Sequence, residues 1–185
     1  MLDLHGKAGR FGVINPMVHN FEESLAFSQN QSDAAFWGEV YRSAFPNLQT
    51  MTCVRQDGWA QRGGIDRILV LKSGKTLAID EKVRKEDWPD ILLERWSDEE
   101  KKVPGWVQKD LACDFIAYAF IPSQKCYLLP FLTLRRAWIK NGRIWIKNHR
   151  EIRADNGSYT TVSVAIPIDI LMDSIIDSIC VGWKN

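Results

Sequence analysis

The period of the apolar positions changes several times along the chain, and each change marks an element. Phe36, Trp37, Val40, Tyr41 and Ala44 recur at helical spacing, with Ser32 or Asp33 placed as N-cap and Pro46 as a stop after Phe45. Short runs at Met51 to Arg55, Ile65 to Leu71 and Leu77 to Val83 predict strands. ILLER at Ile91 to Arg95 extends them into a meander of three or four. Pro104 and Gly105 introduce a short helix from Trp106 to Leu111. After it CDFIAYAFI and KCYLLP, parted by the turn residues PSQ, read as buried strands. From Phe131 to Lys147 the apolar spacing is helical, while Asn141-Gly142 fits either a helix stop or a hairpin turn; helix followed by turn is the favoured reading. YTTVSVAI is a late strand. Pro167 then opens a final helix with Ile168, Leu171, Met172, Ile175 and Ile179 on one face and Gly182 at its end.

This order predicts an α/β (α+β) fold with a mixed central sheet flanked by helices. A chain of 185 residues, 45% of them hydrophobic, suits one core and a single domain. Residues 1–31, broken by Gly6, Gly9, Gly12 and Pro16, read as an irregular arm, residues 32–130 as the core, and residues 131–185 as a basic helix and turn, a strand and a helix. No run of 18 apolar residues occurs, so the expectation is a soluble cytoplasmic protein with no membrane partner. Cys53, Cys113, Cys126 and Cys180 form no C-x-x-C pair, which argues for reduced thiols and against zinc.

The net charge of +1 hides segregation. Arg135 to Arg153 holds seven Lys/Arg against Glu151 alone, and Glu86 to Glu100 holds seven acids against Arg95 alone. The basic run, with Arg135, Arg136, Lys140, Arg143 and Lys147 interleaved with Trp138 and Trp145, suits a surface that tracks nucleic-acid phosphates and stacks bases. Trp138 reads as core, and Trp145 as the better stacking candidate. Trp37, Trp88, Trp96, Trp106 and Trp183 read as packing residues.

The stretch GGIDRILVLKSGKTLAIDEK carries the chemistry. A three-residue loop of Lys72, Ser73 and Gly74, with glycine in the left-handed position, pairs Leu71 with Lys75. Counting back sets Val70 opposite Thr76, Ile68 opposite Ala78 and Asp66 opposite Asp80, with Lys82 on the same face by period two. Ile65, Leu69, Leu71, Leu77, Ile79 and Val83 form the other, core face. Glu81 falls there too, and is expected to pair with an arginine such as Arg67. Two carboxylates about 4 Å apart repel by roughly 4 kcal/mol at an effective dielectric of 20. Lys82 offsets part of this, and an oxygen-binding divalent cation such as magnesium does so more fully.

GID at Gly64 to Asp66 and DEK at Asp80 to Lys82, with a preceding helix that carries Glu39, resemble the PD-(D/E)XK nuclease superfamily over Asp33 to Pro130. The later DILLERWSDEEKKVPGW and DFIAYAFIPSQKCYLLP are similar to small phage- or prophage-associated members. Ile65 stands where the family name has proline. The resemblance implies a restriction-endonuclease-like core and a DNA endonuclease, RNA not being excluded, active as monomer or homodimer. It implies Mg²⁺ or Mn²⁺ held by Asp66, Asp80 and the backbone carbonyl of Glu81. Lys82 would activate a water for in-line attack that leaves 5′-phosphate and 3′-hydroxyl. Glu39 would reach a metal-bound water or a second metal, and Arg84 a phosphate. Two other classes fit the residues: a nucleic-acid-binding or regulatory module without turnover, and a protein-interaction domain that binds no metal.

Overall fold

The computed structural model describes residues 35–179. The irregular arm, the cap at Ser32 or Asp33, Cys180, Gly182 and Trp183 lie outside the described residues. In chain order the elements are α1 (Phe36–Ala44), β1 (Leu48–Cys53), α2 (Gly58–Gly63), β2 (Arg67–Leu71), β3 (Thr76–Arg84), β4 (Asp90–Asp98), β5 (Val103–Pro104), β6 (Phe115–Phe120), β7 (Lys125–Pro130), α3 (Phe131–Asn148), β8 (Glu151–Asp155), β9 (Thr160–Pro167) and α4 (Ile168–Ile179). Among the described residues, no helix is long and apolar enough to cross a membrane.

The strands form two sheets. The first runs β1-β2-β3-β6-β7 and is mixed, with β3 and β6 parallel and every other pair antiparallel. The second, β5-β4-β9-β8, is antiparallel throughout. The predicted mixed sheet flanked by helices is therefore present, and β1, β2 and β3 form a three-stranded meander, but the fourth strand expected of it is corrected. The ILLER strand leaves the first sheet and pairs with β9, because its apolar residues Ile91 and Leu93 bury against the far end of the chain.

Each face of the first sheet has its own core. On one, α1 lays Trp37 and Tyr41 over Leu69, Leu71, Leu77, Ile79, Ala117 and Ala119. On the other, Ile116, Tyr118 and Phe120 of β6 join Ile91 and Leu93 of β4, Val164 and Ile166 of β9, and the inward residues of α3 and α4 in one cluster. The Tyr118 hydroxyl ties the two sheets together, accepting the Leu92 N–H at 3.2 Å and a hydrogen bond from Arg84 Nη1 at 3.2 Å.

Two other expectations are corrected. Residues 106–111 form no helix: the Gly105 N–H bonds to the Arg95 carbonyl at 2.8 Å and the Trp106 N–H to Glu94 Oε1 at 3.2 Å, which holds this segment as a turn against β4. Nor does α3 stop at Asn141-Gly142. It continues as one helix of 18 residues because the Trp138 indole lies over Gly142, where any Cβ would come within 3.2 Å of the ring. There glycine serves close packing and not a turn.

Candidate functional site

The β2-β3 hairpin has the register its turn chemistry dictates. Val70 pairs with Thr76, Ile68 with Ala78 and Arg67 with Ile79. The Leu71 N–H reaches the Lys75 carbonyl at 2.8 Å, and Gly74 takes the left-handed conformation at φ 84°. One step further back, the Asp66 N–H bonds to the Ile79 carbonyl at 2.8 Å, and Asp66 Oδ2 accepts the Glu81 N–H at 2.7 Å. Asp66 and Asp80 thus meet where the hairpin opens. The Lys82 ammonium bonds to Asp80 Oδ1 and lies 5.8 Å from the centre of the Trp106 ring.

The Asp80 side chain is only 5% exposed and that of Asp66 21%. Burial pushes the Asp80 carboxyl up to about 7; the Lys82 charge opposes this and the Asp66 charge adds to it. Desolvation by itself would lower the Lys82 pKa, yet the carboxylates of Asp80 and Asp66 outweigh it, and the ammonium is held above its usual range. These are three ionisable groups in mutual contact at the inner face of the sheet.

On the outer face Glu81 closes a second polar set, as its period predicts. Its side chain has no exposed surface. It accepts hydrogen bonds from Arg67 Nε at 2.6 Å and the Tyr41 hydroxyl at 2.8 Å, while Arg55 Nη2 lies 3.6 Å away. Desolvation still leaves the Glu81 carboxyl above its usual range, the bonds to Arg67 and Tyr41 opposing the rise. Arg55 joins the two sets: its Nε is 3.0 Å from Asp66 Oδ1, an ion pair that lacks hydrogen-bond alignment.

Glu39 is not brought to this group. Helix α1 packs on the face of Glu81, opposite Asp80 and Lys82. Glu39 is exposed and lines a separate groove with Phe120, Gln124 and Lys125. Its expected reach to a metal is therefore corrected: the buried stripe of Trp37 and Tyr41 fixes the helix on the far side. Arg84, at the end of β3, is half-buried against Tyr118. On α3, Arg136, Lys140, Arg143 and Lys147 are exposed, while Arg135 pairs with Asp110 at 2.6 Å. Trp145 is 3% exposed and packs 6.1 Å from Trp138, so both tryptophans belong to the core and neither can stack on a base.

Two site residues were not found from sequence. Glu94 on β4 faces Lys82 across the gap between the sheets, and burial raises its carboxyl while Lys82 and the Trp106 N–H pull it down. Arg55 follows β1. Glu94 is brought in by the pairing of the two sheets' strands, and Arg55 by the register of β1 on β2, which sets Val54 beside Asp66.

Among the described residues no three His, Cys, Asp or Glu side chains come together closely enough to hold a metal ion. The donors at the hairpin are two carboxylates, with the main chain of Glu81 beside them. This is an all-oxygen set of the kind that suits magnesium or manganese, which retain several waters. Comparison with family models, with characterised proteins and with solved structures returns no match.

Proposed function

We propose that the chain is a metal-dependent nuclease of the PD-(D/E)XK kind, built on a restriction-endonuclease-like core, that hydrolyses phosphodiester bonds in DNA. The observation that carries this reading is the joining of Asp66, Asp80 and Lys82 at one point of the hairpin, with the Asp80 carboxyl buried beside a second acid. Burying like charges together is costly for a fold and is common where a site must bind a cation.

Asp66, Asp80 and the Glu81 carbonyl are the groups that would hold Mg²⁺ or Mn²⁺. Bound there, the ion neutralises charge on a phosphate and makes a water more acidic. Lys82, fixed by Asp80 and Trp106, donates a hydrogen bond to the attacking water and offsets negative charge as the in-line displacement leaves a 5′-phosphate and a 3′-hydroxyl. Arg84, whose guanidinium is held by the Tyr118 hydroxyl, would contact a neighbouring phosphate. The exposed cations of α3 add phosphate contacts further along the strand.

A second reading, a nucleic-acid-binding module without turnover, is favoured by the cationic partner that each acid already has, Arg55 for Asp66 and Lys82 for Asp80. Titration calorimetry with Mn²⁺ on the wild type and Asp80→Ala, followed by plasmid cleavage with Lys82→Ala as control, separates the two. The nuclease reading expects Mn²⁺ binding that Asp80→Ala abolishes, and cleavage at least 100-fold faster for wild type than for Lys82→Ala. Equal behaviour of wild type and Lys82→Ala on plasmid would overturn it.

A further inference from the structure

Away from the hairpin, the ends of β4 and β9, Tyr127 of β7 and the corner between α3 and β8 enclose an open cleft of about 710 Å³. That size lies within the ~300–1,000 Å³ usual for small-ligand sites. Its apolar lining comes from Pro89, Ala165, Pro167 and Ile168. Asp90, only 8% exposed, contributes to the same lining. Its Oδ1 is buried with no hydrogen-bond partner, and its Oδ2 lies 3.9 Å from Arg150 Nη2. A buried acceptor left unbonded is costly, so this oxygen calls for a donor.

The surroundings restrict what that donor can be. Arg150, its side chain 61% exposed and its guanidinium 5.7 Å from the Trp88 ring centre, puts a cation at the rim that can meet an anionic part of a ligand, while the carboxylates of Asp90 and Asp169 line the same cleft. Asp169 at the rim already turns its Oδ1 to the Ile170 N–H at 2.9 Å. The matching ligand has a flat apolar body, neutral N–H donors on one edge and a phosphate beyond it. We infer that the cleft receives a nucleobase of the bound strand, with guanine preferred because its adjacent ring N–H and amino group offer two donors to the Asp90 carboxylate. Carboxylates read amino groups on base edges in this way. The inference rests on the nucleic-acid reading above. Asp90 lies four residues before Glu94 on β4, about 13 Å at ~3.3 Å per residue, so the base would sit some nucleotides from the bond being cut.

The test is titration calorimetry of the full chain in EDTA, where no cleavage occurs, with the pentanucleotides dTTGTT, dTTITT (inosine lacks the amino group) and dTTTTT. The expected result is at least tenfold tighter binding of dTTGTT than of the other two. Asp90→Asn, checked for an unchanged thermal midpoint, should reduce dTTGTT to the level of dTTITT. Equal binding of all three, no binding of any, or a folded Asp90→Asn that keeps the preference would overturn the inference. Should that variant fail to fold, the wild-type comparison decides alone. A guanine preference in a protein that leaves plasmid intact would uphold the cleft and refute the nuclease reading, whereas cleavage with no preference would do the reverse.

Discussion

Replacing Glu81 by glutamine removes one charge from a place the solvent does not reach. The side chain of Glu81 is 0% exposed and that of Arg67 9%, and their contact at 2.6 Å is among the shortest ion pairs in the protein. Glutamine keeps the size and can still accept the Tyr41 hydroxyl, so little packing is lost. The change leaves Arg67, and to a lesser degree Arg55 at 3.6 Å, facing a neutral group. Removing one partner of a buried pair costs about 3–5 kcal/mol, a large share of the ~5–15 kcal/mol that holds a domain folded. With a urea slope of about 2 kcal/mol per molar, the unfolding midpoint should fall by roughly 1.5–2.5 M. Adding Arg67→Met removes the cation that faces the neutral group, and the double variant should recover at least half of the loss. A cost below ~1 kcal/mol for Glu81→Gln, or a double variant as unstable as the two single effects combined, would refute the claim that this buried charge pair stabilises the hairpin. Because Glu81 serves the proposed metal site through its main chain, the folded fraction of Glu81→Gln should still bind Mn²⁺.

Other outcomes follow from the same geometry. The Asp80 carboxyl, raised from 3.8 to about 7, keeps in the folded chain a proton that the unfolded chain has lost between those values. Stability in EDTA should therefore fall as pH rises through that window, by up to about 4 kcal/mol at ~1.36 kcal/mol per unit. Urea unfolding at pH 5 and pH 8 should show a smaller drop for Asp80→Asn than for wild type; equal drops would contradict the assignment. Gly105→Ala drives a Cβ into the Glu94 carbonyl. It should cost about 2–3 kcal/mol in thermal or urea unfolding, and a neutral result would mean that the turn is free to shift. Replacing Lys140, Arg143 and Lys147 together by alanine should reduce the slope of log K against log salt for duplex DNA by about 3. An unchanged slope would remove α3 from the interface.

What could be read from sequence was local. The hairpin register follows from Lys72-Ser73-Gly74 and period two, which is why Asp66, Asp80 and the pairing of Glu81 with Arg67 were accessible beforehand. Period also located the stripes of α1 and α4. The misses share a different cause. Asn141-Gly142 has the form of a turn until the Trp138 ring is known to cover the glycine. The segment after Gly105 has a helix start, yet Glu94 and Arg95 capture its first N–H groups. The partner of β4 lies beyond Thr160, so no local pattern could detach that strand from the meander. Glu94 reaches the site only through such a distant pairing, Arg55 through the register of β1 on β2, and Trp145 loses its expected role because the continuous helix turns it inward.

The late pairing of β4 bears on how the protein is made. During synthesis from the N-terminus, β4 emerges about 60 residues ahead of β9, its main partner, and domains tend to fold only once their units are complete. A nascent chain therefore carries both hairpin acids and Lys82 out of the ribosome long before the wall bearing Glu94 can be fixed opposite them. Whatever chemistry the site performs begins only once β9 has been made, and ribosome-stalled fragments that lack β9 should be inert.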